Sequence, residues 1–118
     1  MENLKIGLLL HFYQPWWQFP AVLRQVSDQC YRPILRLLND IDGFCFTANV
    51  NLSLLDLFEN GFSDLRSGFK EAADNGKIEL MGSPAQHPIF PLIPEFLQRA
   101  QIEDDEKRKE NQFGIKRN

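Results

Sequence analysis

The chain is poor in the residues that most readily declare a function. Its 118 residues include two cysteines and two histidines. Cys30 and Cys45 match no zinc or redox spacing, so two reduced thiols in the core of a cytoplasmic protein are expected. No apolar run is long enough to cross a bilayer. The N-terminal stretch MENLKIGLLLHFYQPWW lacks the basic start, longer apolar region and small-residue cleavage site of a secretory signal. Basic charge is not in excess: the formal net charge is −3 and the pI about 5.3. Neither a nucleic-acid partner nor a membrane is therefore expected. Internal repeats are absent. What remains is 43% hydrophobic and 25% charged, the balance of a soluble globular domain large enough to bury a core.

Apolar and polar patterning alternates between strand and helix. Lys5 to Leu10 reads as a short buried strand, followed by a loop from His11 to Trp17 punctuated by Pro15 and Pro20. Leu23, Val26, Cys30, Ile34 and Leu37 recur at helical spacing, with Pro33 expected to kink or restart that helix. Phe44 to Val50 reads as a second strand. Asn51 or Ser53 can cap a short helix through Phe58, and a further helix from about Ser63 to Asp74 ends at Asn75-Gly76. Lys77 to Gly82 is the third strand, and Glu95 to Phe113 a charge-rich helix. This order predicts an α/β fold of parallel strands with helical crossovers, whose ligands bind beyond the carboxyl ends of the strands. Three such strands cannot close on themselves. The chain therefore reads as the front of a larger protein.

Five residues are candidates for binding a polar ligand: His11, Gln14, Trp16, Glu79 and His87. Glu79 alternates with Ile78 and Leu80, so it points away from them: into a polar lumen, onto the solvent face of an edge strand, or against a neighbouring Lys such as Lys77. His11 follows the first strand and could bind substrate hydroxyls or shuttle a proton; taken alone it reads as a strand-end histidine bonded to backbone. Gln14 offers both donors and an acceptor. Phe12, Tyr13, Trp16 and Trp17 crowd one loop and either suit the apolar faces of sugars or other flat ligands, or pack down onto the helices, one Trp being expected in the core and the other partly exposed. His87 lies in a loop with prolines at 84, 88, 91 and 94. The two histidines and Glu79 could also form a metal triad, but no single element holds them at HxxxH or HxxE spacing, and neither metal nor cofactor is expected. The run from Asp104 to Glu110 reads as the solvated face of the last helix.

Taken together, His11-Phe-Tyr-Gln14-Pro15, Tyr31-Arg-Pro33, Gly76-Lys-Ile-Glu79-Leu, His87-Pro88-Ile-Phe-Pro91-Leu-Ile-Pro94 and Gln112-Phe113-Gly114 resemble the N-terminal part of glycoside hydrolase family 57, the α-amylase and 4-α-glucanotransferase group. The resemblance covers nearly all of residues 1–118. It implies the front portion of an incomplete, seven-stranded TIM-like barrel and a retaining mechanism on α-glucans. It also implies that His11 and Glu79 line the donor-sugar pocket, with the role of His87 less fixed. The family's nucleophile and acid/base lie beyond the stretch this chain spans, so no residue here is assigned a catalytic role. Expected partners are an α-glucan or oligosaccharide and the remainder of the barrel. Two alternatives stand beside this reading. One is a metal-dependent polysaccharide deacetylase-like protein; the other is a non-catalytic sugar-binding or interaction module.

Overall fold

A computed structural model describes residues 3–114. Three parallel strands, β1 (Leu9–Phe12), β2 (Phe46–Val50) and β3 (Ile78–Met81), form one sheet in the order β1-β2-β3. Between β1 and β2 run α1 (Pro20–Val26), a π turn (Ser27–Tyr31) and α2 (Arg32–Asp40). α3 (Leu52–Phe58) and α4 (Ser63–Asp74) join β2 to β3. A 3₁₀ turn (Phe90–Leu92) and α5 (Glu95–Phe113) follow. The expected α/β order is thus present.

The sheet is two-sided in chemistry. Phe12, Phe46, Ala48, Val50 and Ile78 are buried on one face, where the helices pack. The aromatic centre of that core is Phe12 against Phe69, with ring centroids 5.2 Å apart, backed by Phe58 and Tyr31. The other face carries Leu9, His11, Thr47, Asn49, Glu79 and Met81 and is open; Leu9 is 59% and Met81 44% exposed. Strand period two places these sets on opposite sides.

β1 begins later than expected and takes in His11 and Phe12. Its register is Leu9 with Thr47 through Phe12 with Val50, and Thr47 N–H donates to Leu8 O. Residues 5–7 have no partner in β2, and Leu4, Ile6 and Leu8 are exposed. The apolar run there is not a buried strand. The helix restarts at Pro33 as expected: α1 gives way to the π turn, and α2 begins at Arg32 with Pro33 in its first turn, where the missing amide hydrogen costs nothing. The helical path widens just before Pro33, and Arg32 N–H donates five residues back to Ser27 O, which accommodates a residue without an amide hydrogen. Asn51 caps α3 by accepting from Ser53 N–H. α4 ends in a Schellman arrangement: Lys77 N–H bonds Ala72 O and Gly76 N–H bonds Ala73 O, with Gly76 at φ 68°.

Two further expectations are corrected here. Cys45 is exposed; only Cys30 packs against the core. The Asp104–Glu110 run is not wholly solvated, because Asp105 and Lys109 are 1% and 6% exposed. They lie on the same stripe of α5 as buried Phe113, four residues apart, and turn inward with it.

Candidate sugar-binding site

The carboxyl ends of the strands bring three rings together. His11 ends up 4.9 Å from His87 and 6.2 Å from Tyr13, and Tyr13 lies 5.2 Å from His87, centroid to centroid. His11 Nδ1–H donates to Asn49 Oδ1 at 2.7 Å. Asn49 is the β2 register partner of His11. That bond fixes the tautomer and leaves Nε2 to accept from, or when protonated donate to, a ligand hydroxyl. His87 holds φ at 54°, a left-handed conformation uncommon for a side-chain-bearing residue, though histidine adopts it more often than most.

Glu79 and His11 share the open face, but the expectation that they project from adjacent strands is corrected. β2 lies between them, and Glu79 pairs with Thr47, one layer below Asn49. Two strand spacings across and one layer along separate the two Cα atoms by about 12 Å, enough for a pyranose ring between the side chains. Glu79 Oε2 accepts from Thr47 Oγ1 at 3.2 Å. It does not pair with Lys77, whose ammonium is spent on Leu38 O at the end of α2. Among the described residues no three His, Cys, Asp or Glu side chains converge as a ligand set for a metal.

The aromatic loop stands off the core. Gln18 N–H bonds Pro15 O, closing a turn that lifts both indoles outward; Trp16 is 67% and Trp17 63% exposed, so neither is a core residue. The two rings meet edge-on at 5.4 Å. With Tyr13, Ser53 and Gln86 they line a groove of about 440 Å³. Gln14 is engaged within the protein: Nε2 donates to Tyr31 OH at 3.1 Å and Oε1 accepts from Gln18 at 2.6 Å. Burial raises the Tyr31 phenol above its ordinary value of 10.0, while the Gln14 bond pulls it the other way. Ser53 Oγ sits 2.7 Å from Gln14 O, tying this loop to the start of α3.

Sequence reasoning missed Asn49, Thr47 and the Asp105–Lys109 pair. Period two places Asn49 and Thr47 beside His11 and Glu79 once the parallel register is known, but the sequence does not supply that register.

The family model for glycosyl hydrolase family 57 matches residues 5–117. The chain belongs to glycosyl hydrolase family 57. Among its relatives is the 4-alpha-glucanotransferase of Thermococcus litoralis, 22% identical over 103 residues, which are 87% of this chain and 16% of that protein. An alpha-amylase of Pyrococcus horikoshii is 22% identical over 95 residues, covering 80% of this chain and 15% of the relative. Of solved structures, the T. litoralis 4-alpha-glucanotransferase superposes with a TM-score of 0.83 at 20% identity, over 90% of this chain and 17% of that one. The alpha-amylase AmyC of Thermotoga maritima gives 0.73 at 18% identity, over 94% and 33%. The fold is shared, and this family 57 chain spans a small part of the length of the relatives it matches.

Proposed function

We propose that this chain is the N-terminal part of a retaining α-glucan-active glycoside hydrolase or 4-α-glucanotransferase, and that its open sheet face lines the sugar pocket of an incomplete seven-stranded barrel. The observation that carries this is the segregation of the sheet. One face is apolar and packed; the other presents His11, Asn49, Thr47 and Glu79, each held by a neighbour and each with polar capacity left. Exposed Leu9 and Met81 on that face support a partner body, the remainder of the barrel, rather than a free-standing module. Two unpaired cysteines fit a cytoplasmic setting.

In this reading His11 Nε2 and Glu79 bond hydroxyls of one sugar from either side. His87 closes the rim, and Trp16 offers its face to a glucose ring. Gln14 acts indirectly, by holding Tyr31 and the aromatic loop. Turnover needs a nucleophile and an acid/base about 5–5.5 Å apart. Glu79 is the only carboxylate among the open-face strand residues, so the chain binds without cleaving. Titrating maltoheptaose into the ¹⁵N-labelled chain tests this. Shifts should map to residues around 11–17, 49 and 79–87, with no release of shorter glucans. Glu79→Gln and Trp16→Ala should each weaken binding several-fold, on the order of 1 kcal/mol. An absence of shifts at saturating sugar, or shifts confined elsewhere, overturns the proposal.

A further inference from the structure

The loop that carries His87 is held mainly by α5. Counting back from Phe113 in fours gives Lys109, Asp105 and Gln101 on one stripe. Lys109 Nζ lies 2.8 Å from Asp105 Oδ1, and both side chains are buried. Each residue of the stripe reaches the end of β3 or the loop after it. Lys109 Nζ donates to Met81 O at 3.2 Å, and Asp105 Oδ2 accepts from Ser83 N–H at 2.9 Å. Gln101 O accepts from Ala85 N–H at 3.1 Å, and Gln101 Oε1 from Gln86 N–H at 2.7 Å. From the other side Asn51 Nδ2 donates to Pro84 O at 2.9 Å. Main-chain groups from 81 to 86 are thus gripped almost residue by residue. The next residue is His87, at positive φ, its ring against His11.

We propose that the buried Asp105–Lys109 pair, with Gln101, positions the 81–86 backbone so that His87 is presented to the pocket beside His11. The proposal rests on the α-glucan reading for its ligand, but not for its geometry. Stability alone is a poor reason for such a pair, since well-packed apolar side chains of like volume serve as well or better in a buried site. What apolar groups cannot do is bond Ser83 N–H and Met81 O, and those bonds set the path of the loop.

The test is the double variant Asp105→Leu/Lys109→Met, followed by urea unfolding, by NMR cross-peaks between the His11 and His87 rings, and by maltoheptaose titration. The expected result is an unfolding midpoint near that of the unchanged protein, the gain from apolar packing offsetting the two lost backbone bonds, with loss of the inter-ring cross-peaks and about tenfold weaker sugar binding. Asp105→Asn/Lys109→Gln, which keeps an acceptor for Ser83 and a donor for Met81, should retain the ring contact. Should the apolar pair fail to fold, Gln101→Ala decides the matter: it leaves the buried pair in place and removes only the acceptor at Gln86, and the cross-peaks should weaken. Retained ring cross-peaks in the folded apolar variant, or in Gln101→Ala if that is the variant read, overturn the proposal. If the unchanged protein binds no maltoheptaose, the sugar reading fails while the ring cross-peaks still decide the positioning role.

Discussion

Asn51 is the residue whose replacement should disturb the site most through the fold. It is fully buried at the carboxyl end of β2 and bonds in three directions. Its Oδ1 accepts from Ser53 N–H at 3.1 Å and lies 2.8 Å from Ser53 Oγ; its Nδ2 donates to Pro84 O at 2.9 Å. The single Ser53 hydroxyl hydrogen is shared with Gln14 O, so in Asn51→Ala it turns to that carbonyl and stays satisfied. Pro84 O keeps its turn bond from His87 N–H. The groups that lose are the Ser53 amide, an uncapped helix start costing about 1 kcal/mol, and the Nδ2–Pro84 bond, costing about 1 kcal/mol more. Asn51→Ala should therefore destabilise by about 2 kcal/mol. Asn51→Asp separates the two terms. At pH 7 it restores the cap but sets a buried carboxylate against the Pro84 carbonyl, which raises the new carboxyl's pKa. A raised value means stability recovered as pH falls, because the protonated carboxyl again donates to Pro84 O. Urea unfolding of all three proteins at pH 7 and pH 4 measures this. Asn51→Asp should lie well below the unchanged protein at pH 7 and close much of the gap at pH 4. A pH-independent gap, or an alanine cost under about 0.5 kcal/mol, would show that Asn51 does not tie these loops together.

Two other expected outcomes concern the helices. A Cβ at Gly68 would lie 2.7 Å from Leu35 Cδ1, the tip of a flexible side chain on α2. Gly68→Ala gains about 1 kcal/mol of helix propensity and costs a comparable rotamer shift at Leu35, so its urea midpoint should stay near that of the unchanged protein. Gly68→Val should cost about 1–3 kcal/mol by overpacking; a midpoint at or above wild type would refute close α2–α4 packing there. Arg32 bonds both oxygens of Asp64, and that hydrogen bonding lowers the Asp64 pKa below 3.8. Its contribution is present above that value and lost as pH falls through the lower folded value. The pair is solvent-exposed, so Asp64→Asn should cost only a few tenths of a kcal/mol at pH 7, and that cost should shrink as pH falls through the carboxyl's lowered range, read by urea unfolding over a descending pH series.

How much of this was legible in the sequence depended on the range of the signal. The ends of α4 and α5, the cap at Asn51 and the alternation in β3 are local, and each follows from a few adjacent residues. β1 failed at its start because strand limits are set by the partner, and β2 begins only at Phe46. The prediction of one buried Trp failed because residue type does not say whether a loop packs down; here the Pro15–Gln18 turn holds both indoles out. Asp105 and Lys109 looked solvated because charge was read before phase. Stepping back from Phe113 in fours would have placed both on the inward stripe. Of the candidate site, the pairing of His11 with His87 was legible only as a shared sheet edge. The resemblance to the family, carried by short motifs in order, reached further than spacing did, since motif order encodes which strand ends meet.

β2 ties the packing and the candidate site to one register. Its Phe46, Ala48 and Val50 are buried among the helices, while Thr47 and Asn49 point the other way. Those two are the residues that bond Glu79 from β3 and His11 from β1. A one-residue slip of β2 would put Thr47 and Asn49 into the apolar core and three apolar side chains on the open face, losing both bonds and several buried groups together. The energy that fixes the core therefore also fixes the two polar side chains, on either side of one central strand, about 12 Å apart. Positions set in this way do not depend on the loops. Substitutions in the aromatic loop should change affinity for a glucan without moving His11 or Glu79, whereas any change that shifts β2 should lose the fold and the site at once.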